Sequence, residues 1–138
     1  MWWLYAILSA IFASLTALFS KLGLTNINSN LATGIRTVVI IIMIWSIIMA
    51  RGEAKGISSI SKNDLFFLGI SGIATGLSWI FYFKALQIGN VSQVATVDKL
   101  SVALTIVLAV IFLGETLTLK NALGAGLIIT GTLVLVFK

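Results

Sequence analysis

The stretch VSQVATVDKLSVALTIVLAVIFL, residues 91–113, decides the fold. At about 1.5 Å per residue it is long enough to cross a bilayer as one helix. Asp98 and Lys99 stand side by side roughly two turns into it. An ionisable group at such a depth costs at least about 2.5 kcal/mol on insertion scales, so it is expected to face protein or water and not lipid. On an uninterrupted helix, adjacent side chains diverge by about 100° and do not face one another. Ser92, Thr96 and Lys99 then form one stripe, and Asp98, Ser101 and Thr105 a second. A helix with two polar stripes is expected to be packed on two sides, or to line a cavity on one of them. Two readings of Asp98 follow: a solute pathway, or a structural charge paired with a cation on a neighbouring helix.

Composition agrees with a membrane protein. The 138 residues are 59% hydrophobic and 9% charged, against about 25% charged in soluble domains. A soluble core of this size cannot hide so much apolar surface, which makes the bilayer the solvent. The net charge of +5 is spread thinly, with no basic run, and nucleic acid is not an expected partner. Cysteine and histidine are both absent. Disulfides, thiolate metal sites, cysteine nucleophiles and histidine bases go with them, and no metal or cofactor is implied. Proline is absent too, so a break in a helix is expected only at glycine or a bulge.

Working outward, hydropathy gives an all-α membrane protein with five spans, at about residues 2–22, 31–50, 62–88, 91–113 and 119–137. Trp2, Trp3 and Tyr5 read as an interfacial anchor, and the start lacks the basic n-region of a cleavable signal. In the first span Ser9, Ala13 and Ala17 make a small-residue ridge, and Lys21 followed by Gly23 reads as a helix stop. The linker TNINSN ends in Asn30, the expected cap of the second span. There Arg36 shares a face with Thr33 and Thr37, opposite Ile35, Val38, Val39 and Ile42, and so is expected to point into the protein or to snorkel to the near interface. Arg51 and Gly52 end that helix, and Ser61 with Asp64 resembles a capping box before the third.

In the third span Gly69, Gly72, Gly76, Trp79 and Phe83 share a face, with Gly72 and Gly76 at the spacing that lets backbones approach. Ser71, Thr75, Ser78 and Tyr82 form an adjoining polar stripe. Trp79 and Tyr82 are candidates for a cavity wall, for interfacial anchors or for plain packing. Lys84 falls on the lipid side with Ile73, Leu77 and Ile80 and is expected to snorkel. Gly114 closes the fourth span and Thr118 caps the fifth, where Gly124 and Gly131 mark a packing helix and Lys138 an end anchor.

An odd number of spans puts the termini on opposite sides. Arg51, Lys55, Lys62 and Lys120 then fall on one side, and Lys21, Lys84 and Lys138, with Arg36 nearby, on the other. The positive-inside bias is close to zero, which permits insertion either way up. Two copies in opposite orientations would form an inverted pair, as fused inverted repeats do in many transporters; the alternative is that one or two lysines fix a single orientation. Arg36 lies roughly 9 Å and Asp98 roughly 12 Å from their helix starts on the same side. Arg36, Asp98 and Lys99 are therefore expected at similar depth, with a net positive sum that favours anionic or zwitterionic solutes.

The run GISGIATGLSWIFYFKALQIGNVSQVATVDKLSVALTIVLAVIFLGETLTLKNALGAGLIITGTLVLV resembles the EamA domain of the drug/metabolite transporter superfamily. The resemblance is carried by YFKAL at Tyr82 to Leu86, a glycine turn, a span ending in LGE at Leu113 to Glu115, the Thr118 cap and the glycine-rich last helix. Upstream, SNLATGIRT at Ser29 to Thr37 is similar to the short single-domain EamA proteins of prokaryotes. The resemblance implies one five-helix half of an inverted-repeat transporter, in the prokaryotic cytoplasmic membrane, paired with a second copy. Larger relatives fuse two such domains and move amino acids, sugars, nucleotide sugars or drugs by alternating access through a cavity between the halves. Related small multidrug exporters use a glutamate in the first helix. Here the first span has no acid, which leaves Asp98 as the substitute candidate, while Glu115 is placed at the membrane surface.

The expected function is thus transport of a small polar metabolite. Asp98, Arg36 and Lys99 are the candidate substrate or coupling charges, and Thr75, Ser78, Trp79, Tyr82, Ser101 and Thr105 the candidate cavity lining. Gly69, Gly72, Gly76, Gly124 and Gly131 are the candidate packing positions. The alternative is a non-transporting membrane subunit with an assembly or regulatory role, in which the charges act as interhelical glue. An intramembrane enzyme with Ser101 as nucleophile and Lys99 as base is not expected, because the two, two apart, diverge by about 200° on a helix.

Overall fold

Residues 1–136 are described by the computed structural model; Phe137 and Lys138, at the expected end of the fifth span, lie outside the described residues. The order is α1 (Trp2–Gly23), α2 (Ser29–Ala50), a short 3-10 helix (Glu53–Ser59), α3 (Lys62–Ile88), α4 (Val91–Asp98), α5 (Leu100–Leu113) and α6 (Leu119–Val136). No strand occurs among the described residues. Five segments are long and apolar enough to cross a membrane: α1, α2, α3, the run Val91–Leu113 formed by α4 and α5, and α6. The chain is an all-α protein with five spans, and its hydropathy decided that.

The helix ends show which local signals acted. Asn28, not Asn30, caps α2: its side-chain Oδ1 accepts the Asn30 N–H at 2.9 Å, and the helix begins two residues earlier than expected. The linker offers asparagines at 26, 28 and 30, and cap preference alone does not choose among them. Gly23 is the last residue of α1 and does not take the left-handed conformation expected of a glycine stop; among the described residues the glycines with positive φ are Gly52 at 69° and Gly114 at 67°. Both sit just past a helix end, where a Cβ would be strained. Half of the capping box forms before α3. Ser61 Oγ accepts the Asp64 N–H at 3.1 Å, and its own proton goes to the Asp64 carboxylate at 2.7 Å. Aspartate is one methylene shorter than glutamate, and here it meets the hydroxyl of the cap.

The fourth span is interrupted at its charged pair. At Lys99 the usual i→i−4 bonding gives way to tighter i→i−3 bonds, from the Lys99 N–H to Thr96 O and from the Val102 N–H to Lys99 O, both 3.0 Å. This one turn needs neither proline nor glycine, contrary to expectation. A 3-10 turn inside a helix is a common site of bending or strain.

The helices fall into two compact units. One comprises residues 1–18 and 88–138, carrying α4, α5, α6 and most of α1. In it α6 packs against both α4 and α5. Thr132, only 3% exposed, donates its hydroxyl to Ile128 O at 2.8 Å and, at 3.4 Å, to Thr96 O on α4. Ala17 and Ala103 are its buried apolar residues.

The other unit, residues 19–87, holds the end of α1, α2, the 3-10 helix and most of α3. Leu24, Phe83 and Leu86 are buried in it, with Ser29 and Thr33. Two polar ties fix the end of α3. The Lys21 ammonium donates to the Leu86 carbonyl at 2.6 Å, and the Gln87 amide donates to Ile27 O at 3.0 Å. The last carbonyls of a helix have no partner within it, and a cation there also meets the negative end of the dipole. Lys21→Met is therefore expected to destabilise the protein by about 1–3 kcal/mol, the range for charged hydrogen bonds, with Lys21→Arg milder. Thermal unfolding of the two variants side by side checks this.

Candidate functional site

A groove of about 700 Å³ runs between α2 and α3 in the second unit. Its α2 wall is Asn30, Thr33, Gly34 and Thr37; its α3 wall is Leu68, Ser71, Gly72, Thr75, Gly76, Trp79 and Ile80. Helical spacing makes both walls. Thr33 and Thr37 are one turn apart on α2, and Gly72, Gly76, Trp79 and Ile80 recur at three or four residues on α3. Glycines make the room: a Cβ at Gly34, Gly72 or Gly76 would meet no heavy atom within 4 Å.

The three threonine hydroxyls of the groove share one bonding state. Thr33 donates to Ser29 O and Thr37 to Thr33 O, each at 2.8 Å, and Thr75 donates to Ser71 O at 2.9 Å. A threonine in this state has its single proton engaged and its lone pairs available. Thr33 is 7% exposed and is the buried part of the groove, while Asn30, Ser71, Thr75 and most of the other lining residues are exposed.

Arg36 does not line the groove but contacts Trp79, which does. Its guanidinium carbon lies 4.2 Å from the centroid of the Trp79 ring and 5.4 Å from that of Phe83. Trp79 and Phe83 are four residues apart on α3 and present neighbouring rings to a cation from α2. Arg36 makes no ion pair with a carboxylate among the described residues. It thus points into its unit, away from Ile35, Val38, Val39 and Ile42, each more than half exposed.

In the other unit, Asp98 and Lys99 pair with each other: Lys99 Nζ is 3.6 Å from Asp98 Oδ2, with the side chains 58% and 40% exposed respectively. This corrects the expectation that neighbours on a helix cannot meet. The tightened turn changes their relative direction, and the long lysine stem covers the remainder. Thr96 donates to Ser92 O at 2.6 Å and Thr105 to Ser101 O at 2.7 Å.

Of the candidate lining residues, Thr75 and Trp79 border the groove. Ser78 is exposed and Tyr82 half-buried on the same helix, and Ser101 and Thr105 belong to α5. Lys84 is exposed, on the side expected for a snorkelling lysine. Asn30, Thr33, Thr37 and Ser71 were not among the lining candidates. The signal for them was present in two stripes at i, i+4 spacing, Ser29–Thr33–Thr37 and Ser71–Thr75. Gly69, Gly72, Gly76, Gly124 and Gly131 mediate no close contact among the described residues, since a Cβ at each would meet open space to 4 Å.

The chain is thus a multi-pass membrane protein with a groove between two spans, mostly apolar and carrying hydroxyls and bare glycines. The chain belongs to the EamA-like transporter family, whose match covers residues 1–137. It is 48% identical over 134 residues, 97% of this chain and 95% of the relative, to an "uncharacterized transporter in cobO 3' region" of Sinorhizobium sp.. An uncharacterized protein of Methanocaldococcus jannaschii is 32% identical over 81 residues, 59% of each chain. No solved structure matches.

Proposed function

We propose that this chain is one five-helix domain of a transporter that moves a small polar metabolite by alternating access, as an antiparallel pair of identical copies in a prokaryotic cytoplasmic membrane. The observation that carries the reading is the groove of about 700 Å³ lined with hydroxyls between two spans of a chain in a transporter family. Pockets of several hundred cubic ångströms with a few placed polar groups are the usual form of small-molecule sites. The near-zero charge bias across the membrane supports insertion in both orientations, and the open glycine faces leave room for a second copy. Asp98 and Lys99 are the coupling charges in this reading, placed where their span departs from regular helix. Arg36, held over the Trp79 ring, is the third candidate charge.

Solute counterflow in vesicles reconstituted with the purified chain tests the proposal. Counterflow of small polar solutes is expected, reduced at least tenfold in Asp98→Asn. Equal flux for wild type and Asp98→Asn across the panel removes Asp98 from the mechanism. A C-terminal reporter found on one side of the membrane alone removes the antiparallel pair.

A further inference from the structure

The structure assigns the groove between α2 and α3 to an uncharged, hydroxyl-bearing solute, which deepens the proposed transport function and rests on it. No residue lining the groove carries a charge. A carboxylate or phosphate entering it would give up its water for walls without a cation, and burying an ion that is not paired is costly. The threonines do not compensate, because Thr33, Thr37 and Thr75 already donate their protons to backbone carbonyls.

A cation fares no better. No carboxylate lines the groove, so a cation finds no partner on its walls. The walls themselves therefore offer a partner to neither sign, although the three candidate charges of the chain sum to a positive value.

A neutral polyol matches what remains. Its O–H groups donate to the free lone pairs of the three threonines, and Ser71 and Asn30 return donors to its oxygens. Its carbon chain or ring lies against Trp79 and the bare backbone at Gly76. The volume is ample for a molecule the size of a hexose.

The sequence has no cysteine, which makes single-cysteine labelling direct. Thr75→Cys and, separately, Thr37→Cys in the full chain, reconstituted in vesicles, are treated with three methanethiosulfonates of similar size: hydroxyethyl, sulfonatoethyl and trimethylammonioethyl. Rates are normalised to those of a small free thiol. The hydroxyethyl reagent is expected to react at least tenfold faster than either charged one, and sorbitol to slow the reaction where gluconate and glucamine do not. A charged reagent that matches the neutral one, or protection by gluconate or glucamine in place of sorbitol, overturns the assignment. So does a folded protein in which neither cysteine reacts with any reagent, since the groove is then closed to solutes. Because selectivity is read without flux, a failure of transport overturns the function alone, and flux of a charged solute alongside charged labelling overturns this inference alone.

Discussion

Asp98→Asn is expected to destabilise the protein by about 1–3 kcal/mol, and adding Lys99→Gln to restore most of that loss. The asparagine leaves the Lys99 ammonium without its partner, 3.6 Å away in the native chain, inside a membrane span. Insertion scales put a lysine at mid-helix at roughly 2.5–3.5 kcal/mol. Both side chains are partly exposed and Lys99 can stretch toward the headgroups, which lowers the expectation below that range. The double variant removes both charges and leaves neither uncompensated, so the two single losses should not add. Reversible unfolding in micelles of the two single variants and the double variant measures the coupling. Additive losses would show that the charges do not act as a pair. The same proteins separate the two readings of Asp98. If the double variant is stable and still transports, the pair is structural; if it is stable and inactive, the charges serve the transport cycle.

Gly76→Leu should leave the fold intact and abolish transport. The position faces open space, and glycine is about 0.8–1 kcal/mol worse than alanine in a helix, with leucine ranking next to alanine. The thermal midpoint is therefore expected to hold or rise. The new side chain projects into the groove beside Thr75 and Trp79, and flux should drop at least tenfold. Gly69→Leu is the control: it lies two turns away on the same face of α3 but does not border the groove. Loss of transport in both variants, with loss of pairing between copies on cross-linking, would instead make the glycine face an interface. Loss in Gly76→Leu alone places the solute in the groove.

The spans were legible because hydropathy and length alone determine them; residues 62–88 and 91–113 coincide with α3 and with the run of α4 and α5. The inward face of α2 was legible for the same reason, since Thr33, Arg36 and Thr37 share a helical side opposite a row of aliphatics. What could not be read was anything that joins one helix to another. Trp79 and Phe83 stood visibly at i, i+4 spacing, yet nothing in their spacing names Arg36, more than forty residues earlier, as the cation over them. The groove is the same case, two polar stripes that acquire meaning only when α2 and α3 meet. The Asp98–Lys99 pair was missed for a different reason. The projection assumed an unbroken 3.6-residue helix, and the tightened turn at Lys99 carries no proline or glycine to announce it.

The length of α3 ties the protein to its lipid. Its 27 residues give a rod of about 40 Å, while the hydrocarbon slab is about 30 Å thick. The surplus is taken up by leaning the rod or by raising its polar first turn, Lys62 to Asp64, among the headgroups. Where the surplus goes into leaning, membranes of different thickness would hold the helix that forms one side of the groove at different slants.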